Sequence, residues 1–214
     1  MASIVDYRLK LLERLGVPVH LNTEVTPELL MELHPDVVVL ATGSAAIVPP
    51  IPGIDGPGVH LCDHVLNGEV LAGKRIAVLG GGLIGCEVAD YLASQGKEVT
   101  VIDVIAELAV SLNSSRRSLM LKRMNELPIA FMLERRMERI NLPNITVSGP
   151  NGEETLTGFD HLVIAAGRKA VSPLREFVEQ MPCVQMVIIG DASGSGLALD
   201  AIHQAAQAAC DLAL

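Results

Sequence analysis

Residues 80–85 read GGGLIG, with glycine at the first, third and sixth places. That G-x-G-x-x-G spacing lets a strand turn tightly into a helix beneath a pyrophosphate. Gly80 allows the turn, Gly82 lets the backbone come close to the phosphates, and Gly85 lets the helix press against the strand. Gly81, Leu83 and Ile84 complete the binding set, because phosphate then faces the free N–H groups of a helix N-terminus. Asp103 stands 23 positions after Gly80, close to the usual spacing of about 20 for the acid that binds an adenosine ribose. An acid there accepts hydrogen bonds from a free 2′-hydroxyl and repels a 2′-phosphate, so NADH is expected over NADPH. The alternative is a tight strand-helix turn with no ligand.

The flanking segments suit this chemistry. Residues 74–79 (KRIAVL) form a short apolar strand, and 83–95 carry a helical pattern through Ile84, Val88 and Leu92 that stops at Gly96. Residues 98–102 (EVTVI) read as the next strand, ended by Asp103. Upstream, 4–15 is an amphipathic helix closed by Gly16, and 17–21 (VPVHL) a short strand. Residues 27–33 form a helical turn capped by Thr26, and 36–41 (DVVVLA) a strand running into Thr42-Gly43. The Pro- and Gly-rich 49–58 reads as a surface connection. Downstream, a hairpin or meander is expected across 140–158, a strand at 161–166, and another at 184–189 running into Gly190-Asp191. A final helix carries Leu199, Ile202, Ala206, Ala209 and Ala213 on one face.

Half of the 214 residues are hydrophobic, aromatics make up 2%, and mean hydropathy is +0.41. This composition suits parallel strands covered by Ala- and Leu-rich helices. No stretch reaches the ~20 apolar residues of a membrane span, and a soluble, cytoplasmic protein is expected. A net charge of −9 disfavours nucleic acid and anionic membrane as partners. Arg116-Arg117 and the basic run 135–139 are expected on solvated helix or loop faces. The four cysteines, 62, 86, 183 and 210, form no C-x-x-C pair and are expected as buried thiols. The eight methionines are expected as core fill. His60, Asp63 and His64 alone approach metal-ligand spacing, and no metal is expected there.

The segments LNTEVT (21–26), VLATG (39–43), PIPG (50–53), VLGGGLIGCE (78–87), Ala166-Gly167 and IGD (189–191) occur in an order that resembles the two-dinucleotide-binding-domain flavoproteins. Within them, the chain is most similar to the C-terminal region of NADH:flavin oxidoreductases of the old yellow enzyme type, such as 2,4-dienoyl-CoA reductase, 2-enoate reductase and trimethylamine dehydrogenase. The resemblance implies an α/β fold: a Rossmann-like three-layer NAD(P)-binding domain at 69–168, inserted in an incomplete FAD-binding domain at 1–68 and 169–214. It places Glu87 and Gly167 near the nicotinamide. Glu87 could equally be a solvent-facing acid complementing the helix dipole. Gly190 and Asp191 would meet the ribityl and pyrophosphate region of FAD, with a helix N-cap as the alternative for Asp191. Val25 resembles the position whose backbone meets the FAD adenine, and Ala41, Thr42 and Gly43 lie where the chain passes between the two halves.

That family opens its FAD half with a further G-x-G-x-x-G unit, and none precedes Ile4. The barrel that would carry FMN, an iron-sulfur cluster and the substrate-reducing residues is also missing. A fragment is therefore expected, whose partners are the N-terminal barrel and FAD segment of the same polypeptide, with a homo-oligomer possible. The resemblance implies an enzyme that accepts hydride from NADH and passes it to FAD, while no residue stands out as acid, base or nucleophile. The rival reading is a non-catalytic nucleotide-binding or assembly module.

Overall fold

The computed structural model describes residues 2–194 and 196–212. Two compact units form: Met1–Leu40 with Ser172–Ile188, and Ala41–Val171 with Ile189–Leu214. In the first, helix α1 (Ala2–Arg14) is followed by Gly16 at φ 66°, a left-handed stop that glycine adopts at least cost. Residues 17–21, expected as a strand, run as irregular chain and turn. Pro18 removes a ladder donor, and Val17, Val19 and Leu21 are exposed, so no buried face rewards pairing. Helix α2 (Pro27–Leu33) starts as expected, with the Leu29 N–H donating to Thr26 Oγ1 at 3.3 Å. Strand β1 (Val37–Leu40) follows.

The second unit begins with β2 (Ser44–Ala46), then the expected irregular connection at 49–58. Next come β3 (Val59–Leu61), α3 (Cys62–Leu66), β4 (Arg75–Leu79), α4 (Leu83–Ser94), β5 (Glu98–Ile102), α5 (Ser114–Asn125) and β6 (Ile129–Met132). An antiparallel meander of β7 (Arg136–Asn141), β8 (Asn144–Gly149) and β9 (Gly152–Thr157) precedes β10 (His161–Ile164). The main sheet is parallel throughout, in the order β3-β10-β4-β5-β6.

Strand alternation builds three layers from this sheet. Ile76, Val78, Val99, Val101 and Val163 face one side and pack with Val65, Cys86, Val88, Leu92 and Met124 of the helices. Ala77, Ile102 and Leu162 belong to the opposite core, closed by Met137, Ile140, Ile145 and Val147 of the meander. Each large aliphatic side chain buried this way contributes about 2 kcal/mol. The Rossmann-like α/β arrangement matches the sequence expectation. The sheet also takes in β3 and α3, from the stretch before residue 69: Val59–Leu61 pairs with Leu162–Ile164.

The basic run at 135–139 enters strand β7, contrary to the helix or loop expected. A register shift between Met137 and Arg139 adds a residue to the strand, so Met137 and Ile140 both reach the core despite a spacing that resembles a helix. After β10, β11 (Arg168–Ala170) pairs antiparallel with β2. The chain then re-enters the first unit through α6 (Arg175–Glu179) and β12 (Gln185–Ile188), which pairs parallel with β1.

Back in the second unit, a 3-10 turn (Gly190–Ala192) leads to α7 (Ala198–Leu212). None of its described side chains is buried, and Leu199 and Ile202 are exposed; Ala213 lies outside the described residues. Cys62 and Cys86 are buried as expected, but Cys183 and Cys210 are exposed, one in a left-handed turn and one on α7. Met124 and Met137 fill the core, whereas Met31 is exposed. Among the described residues, no helix is long and apolar enough to cross a membrane.

Candidate nucleotide-binding site

The three motif glycines differ in what surrounds them. Gly80 sits at φ 112°, and a Cβ there would lie 2.3 Å from the Ala165 carbonyl oxygen. A Cβ on Gly85 would lie 1.9 Å from the Gly80 oxygen, so helix α4 rests directly on the turn. At Gly82 a Cβ would meet nothing within 4 Å. The turn is therefore closed beneath Gly80 and Gly85 and open at Gly82. Gly82 also brings no side-chain cap to α4, leaving first-turn N–H groups available to an anion.

Gly81 is locked from below. Its carbonyl accepts the Ala109 N–H at 2.8 Å and the Cys86 thiol at 3.4 Å. Its N–H donates to Asp103 Oδ2, while Asp103 Oδ1 accepts the Ile105 N–H at 3.1 Å. Burial pushes the Cys86 thiol up to about 11, so it stays protonated as a donor.

Above the turn opens a cavity of about 980 Å³, within the range of ligand clefts. Its walls include Gly80, Gly82, Leu83, Ile84, Asp103, Pro49–Pro52 and the stretch from Ala165 to Arg168. The sheet order explains the grouping. β4 lies between β10 and β5, so the carboxyl ends of the three strands place Gly167, the glycine turn and Asp103 side by side. Glu87, on the second turn of α4, is off this wall, and partial desolvation raises its carboxyl above the ordinary range.

A second cavity of about 410 Å³ is lined by Ala41, Gly43, Gly190, Asp191 and the start of α7. Thr42 is held apart, its hydroxyl donating to the Val171 carbonyl. Asp191 lines both cavities. Its Oδ1 accepts the Gly196 N–H at 3.1 Å, whereas the Leu197 N–H next to α7 goes to Asp200 Oδ2 at 2.8 Å. The capping role expected as an alternative for Asp191 thus falls to Asp200. Val25 belongs to the other compact unit and lines neither cavity.

Sequence reasoning missed Ser44 and Arg168, and weighed Asp63 only beside His60 and His64. The Arg168 side chain, 19% exposed, donates from Nη1 to Asp63 Oδ1 at 2.6 Å, from Nε to Ser44 Oγ at 2.8 Å and from Nη2 to the Ser44 carbonyl at 2.6 Å. Ser44 Oγ donates in turn to Asp191 Oδ2 at 2.8 Å. The one available signal was position: Ser44 and Arg168 directly follow Gly43 and Gly167. Asp63 is thereby drawn away from its sequence neighbour His60, which instead bonds Glu69 and His161, each at 3.0 Å.

Residues 19–186 match the pyridine nucleotide-disulphide oxidoreductase family. An NADH oxidase of Thermoanaerobacter brockii is 30% identical over 203 residues, covering 92% of this chain and 31% of the relative. A cinnamate reductase of Clostridium sporogenes is 29% identical over 200 residues, with 89% and 29% covered. Among solved structures, a 2-naphthoyl-CoA reductase in complex with 2-naphthoyl-CoA superposes with a TM-score of 0.85 at 30% identity, covering 95% of this chain and 31% of that one. The chain thus spans less than a third of these relatives' length.

Proposed function

We propose that this chain, which belongs to the pyridine nucleotide-disulphide oxidoreductase family, binds NADH in its larger cavity and presents the nicotinamide for hydride transfer to FAD. The observation that carries the reading is the open side of Gly82: the start of α4, which has no side-chain cap, lines the cavity at the one motif glycine that a side chain would fill without meeting protein. Gly82, Leu83 and Ile84 would hold the pyrophosphate. Asp103, fixed by the N–H groups of Gly81 and Ile105, would accept the adenosine ribose hydroxyls and repel a 2′-phosphate.

Ala41, Gly43, Gly190 and Asp191 fit part of a flavin cofactor, because small residues leave its backbone approachable. With both cofactors bound, the pair would supply hydride-transfer chemistry, a hydride carrying two electrons with one proton. The chain's own contribution is to bind, orient and keep the acid at Asp103 in place. We propose further that the remaining FAD segment and a substrate-reducing barrel belong to the same polypeptide, in keeping with the share of its relatives that this chain spans.

Calorimetric titration of the chain with NADH and NADPH, and anaerobic addition of NADH to the full-length polypeptide supplied with FAD, test the reading. Preferential NADH binding and bleaching of the flavin absorbance are expected. NADH binding without bleaching would favour the non-catalytic module instead.

A further inference from the structure

We propose that His60, His161 and Glu69 form an acid-sensitive clasp, which holds the edge strand β3 against β10 and lets go when both imidazoles must carry a proton. β3 is three residues long, and among the described residues its one partner strand is β10, with Val59–Leu61 set against Leu162–Ile164. Helix α3 follows β3 directly. The clasp spans this seam. His60 Nε2 lies 3.0 Å from His161 Nδ1, and His60 Nδ1 lies 3.0 Å from Glu69 Oε1. The two rings meet edge to face, and the His60 side chain is 18% exposed.

These bonds set how many protons the clasp can hold. A carboxylate only accepts, so His60 Nδ1 donates to Glu69. Between the rings, one nitrogen donates and the other accepts. A neutral pair satisfies this, and so does a pair with one imidazolium. Two imidazoliums do not, because N–H would then face N–H with like charges in contact. The surrounding charges push towards that conflict. Glu69 attracts positive charge on His60, and Asp160, which accepts the Lys74 and Arg75 N–H groups, attracts it on His161. Of the other charged groups nearby, His64 lies 3.8 Å from Glu69 Oε2, Asp63 is taken up by Arg168, Arg75 donates to the Thr157 carbonyl and Lys74 pairs with Glu98. The open seam binds one proton more than the closed one, so acid favours opening. Asp63 of α3 bonds Arg168 on the wall of the larger cavity, so the clasp also steadies that wall.

Amide hydrogen exchange of the chain without nucleotide, read by mass spectrometry and corrected for the intrinsic rate at each pH, tests the clasp. Between pH 7.5 and pH 5.5, protection over residues 59–66 should fall about tenfold, the effect of one proton on a released imidazole that titrates near 6.5. Protection over 98–102, in β5, should hold steady. His161→Asn and His60→Gln each put a neutral amide where the facing nitrogen stood, and each should reduce the fall to less than about twofold. His64→Gln should leave it near tenfold, because His64 approaches the other oxygen of Glu69. If neither clasp variant folds, ring nitrogen-15 spectra of the parent decide the matter: His60 and His161 should take up protons in two separate steps. Steady protection over 59–66 in the parent, an equal fall throughout the sheet, an undiminished fall in a folded clasp variant, or two independent ring titrations would overturn the clasp.

Discussion

The Asp103 carboxylate accepts the backbone N–H of Gly81, so the acid that ends β5 and the turn that ends β4 form one hydrogen-bonded unit. The register supports it, since Leu79 and Ile102, the residues just before the turn and the acid, are paired across the two strands. The acid is therefore held beside Gly82 by the protein itself.

Replacing Asp103 should act on both specificity and stability. Asp103→Asn is expected to narrow the preference for NADH over NADPH by about tenfold, the worth of a charge-assisted hydrogen bond. It should also cost about 1–2 kcal/mol through the weakened bond to Gly81. Titration with both nucleotides and urea unfolding measure the two effects. Equal nucleotide affinities in the parent would remove Asp103 from the ribose site.

Gly82 and Gly85 should part company. Gly82→Val places its branch in open cavity and should cut NADH affinity by roughly a hundredfold or more, with unchanged circular dichroism, because several charged phosphate contacts are lost together. Gly85→Ala drives its Cβ against the Gly80 oxygen and should cost about 3 kcal/mol of stability. Thermal unfolding beside calorimetry separates them.

Two thiols should react and two should not. In native protein at pH 8, a chromogenic disulfide reagent is expected to titrate Cys183 and Cys210 rapidly, since both are exposed. Cys62 and Cys86 are buried, and desolvation raises both thiols, so they should respond only after denaturant is added. Peptide mapping of the labelled sites identifies them.

The Asp160 carboxylate accepts the N–H groups of Lys74 at 2.6 Å and Arg75 at 2.9 Å, and these bonds hold its pKa below the ordinary 3.8. A carboxyl depressed in the folded state stabilises fully above its unfolded pKa, and that stability is lost as pH falls through the folded one. The thermal midpoint should therefore decline below about pH 4. Asp160→Asn should lower it at neutral pH and flatten that acid limb. Melting curves from pH 7 to pH 3 for both proteins check the sign.

Local patterns made much of this fold legible. The glycine turn, α4 and β5 each carry a full period of apolar residues next to a turn residue, and each lies within two residues of its expected place. β3 was hidden because three residues after a proline-rich loop show no period of their own. β7 was hidden because its bulge converts a strand spacing into a helical one. The false strand at 17–21 had the alternation but nothing to bury against. The Arg168–Ser44 bond joins residues 124 apart in sequence, and no local pattern encodes such a pairing.

The place of β10 between β3 and β4 sets an order on the chain's assembly. During synthesis, residues 59–61 and 75–79 emerge early, yet the strand that joins them is made only at 161–164. Until then β4 can pair with β5, and β5 with β6, while β3 waits with its edge open. Closing that gap requires a contact of high sequence separation, which slows folding. A nascent chain stalled before residue 161 would carry two unsatisfied parallel edges, the kind of intermediate on which chaperones act.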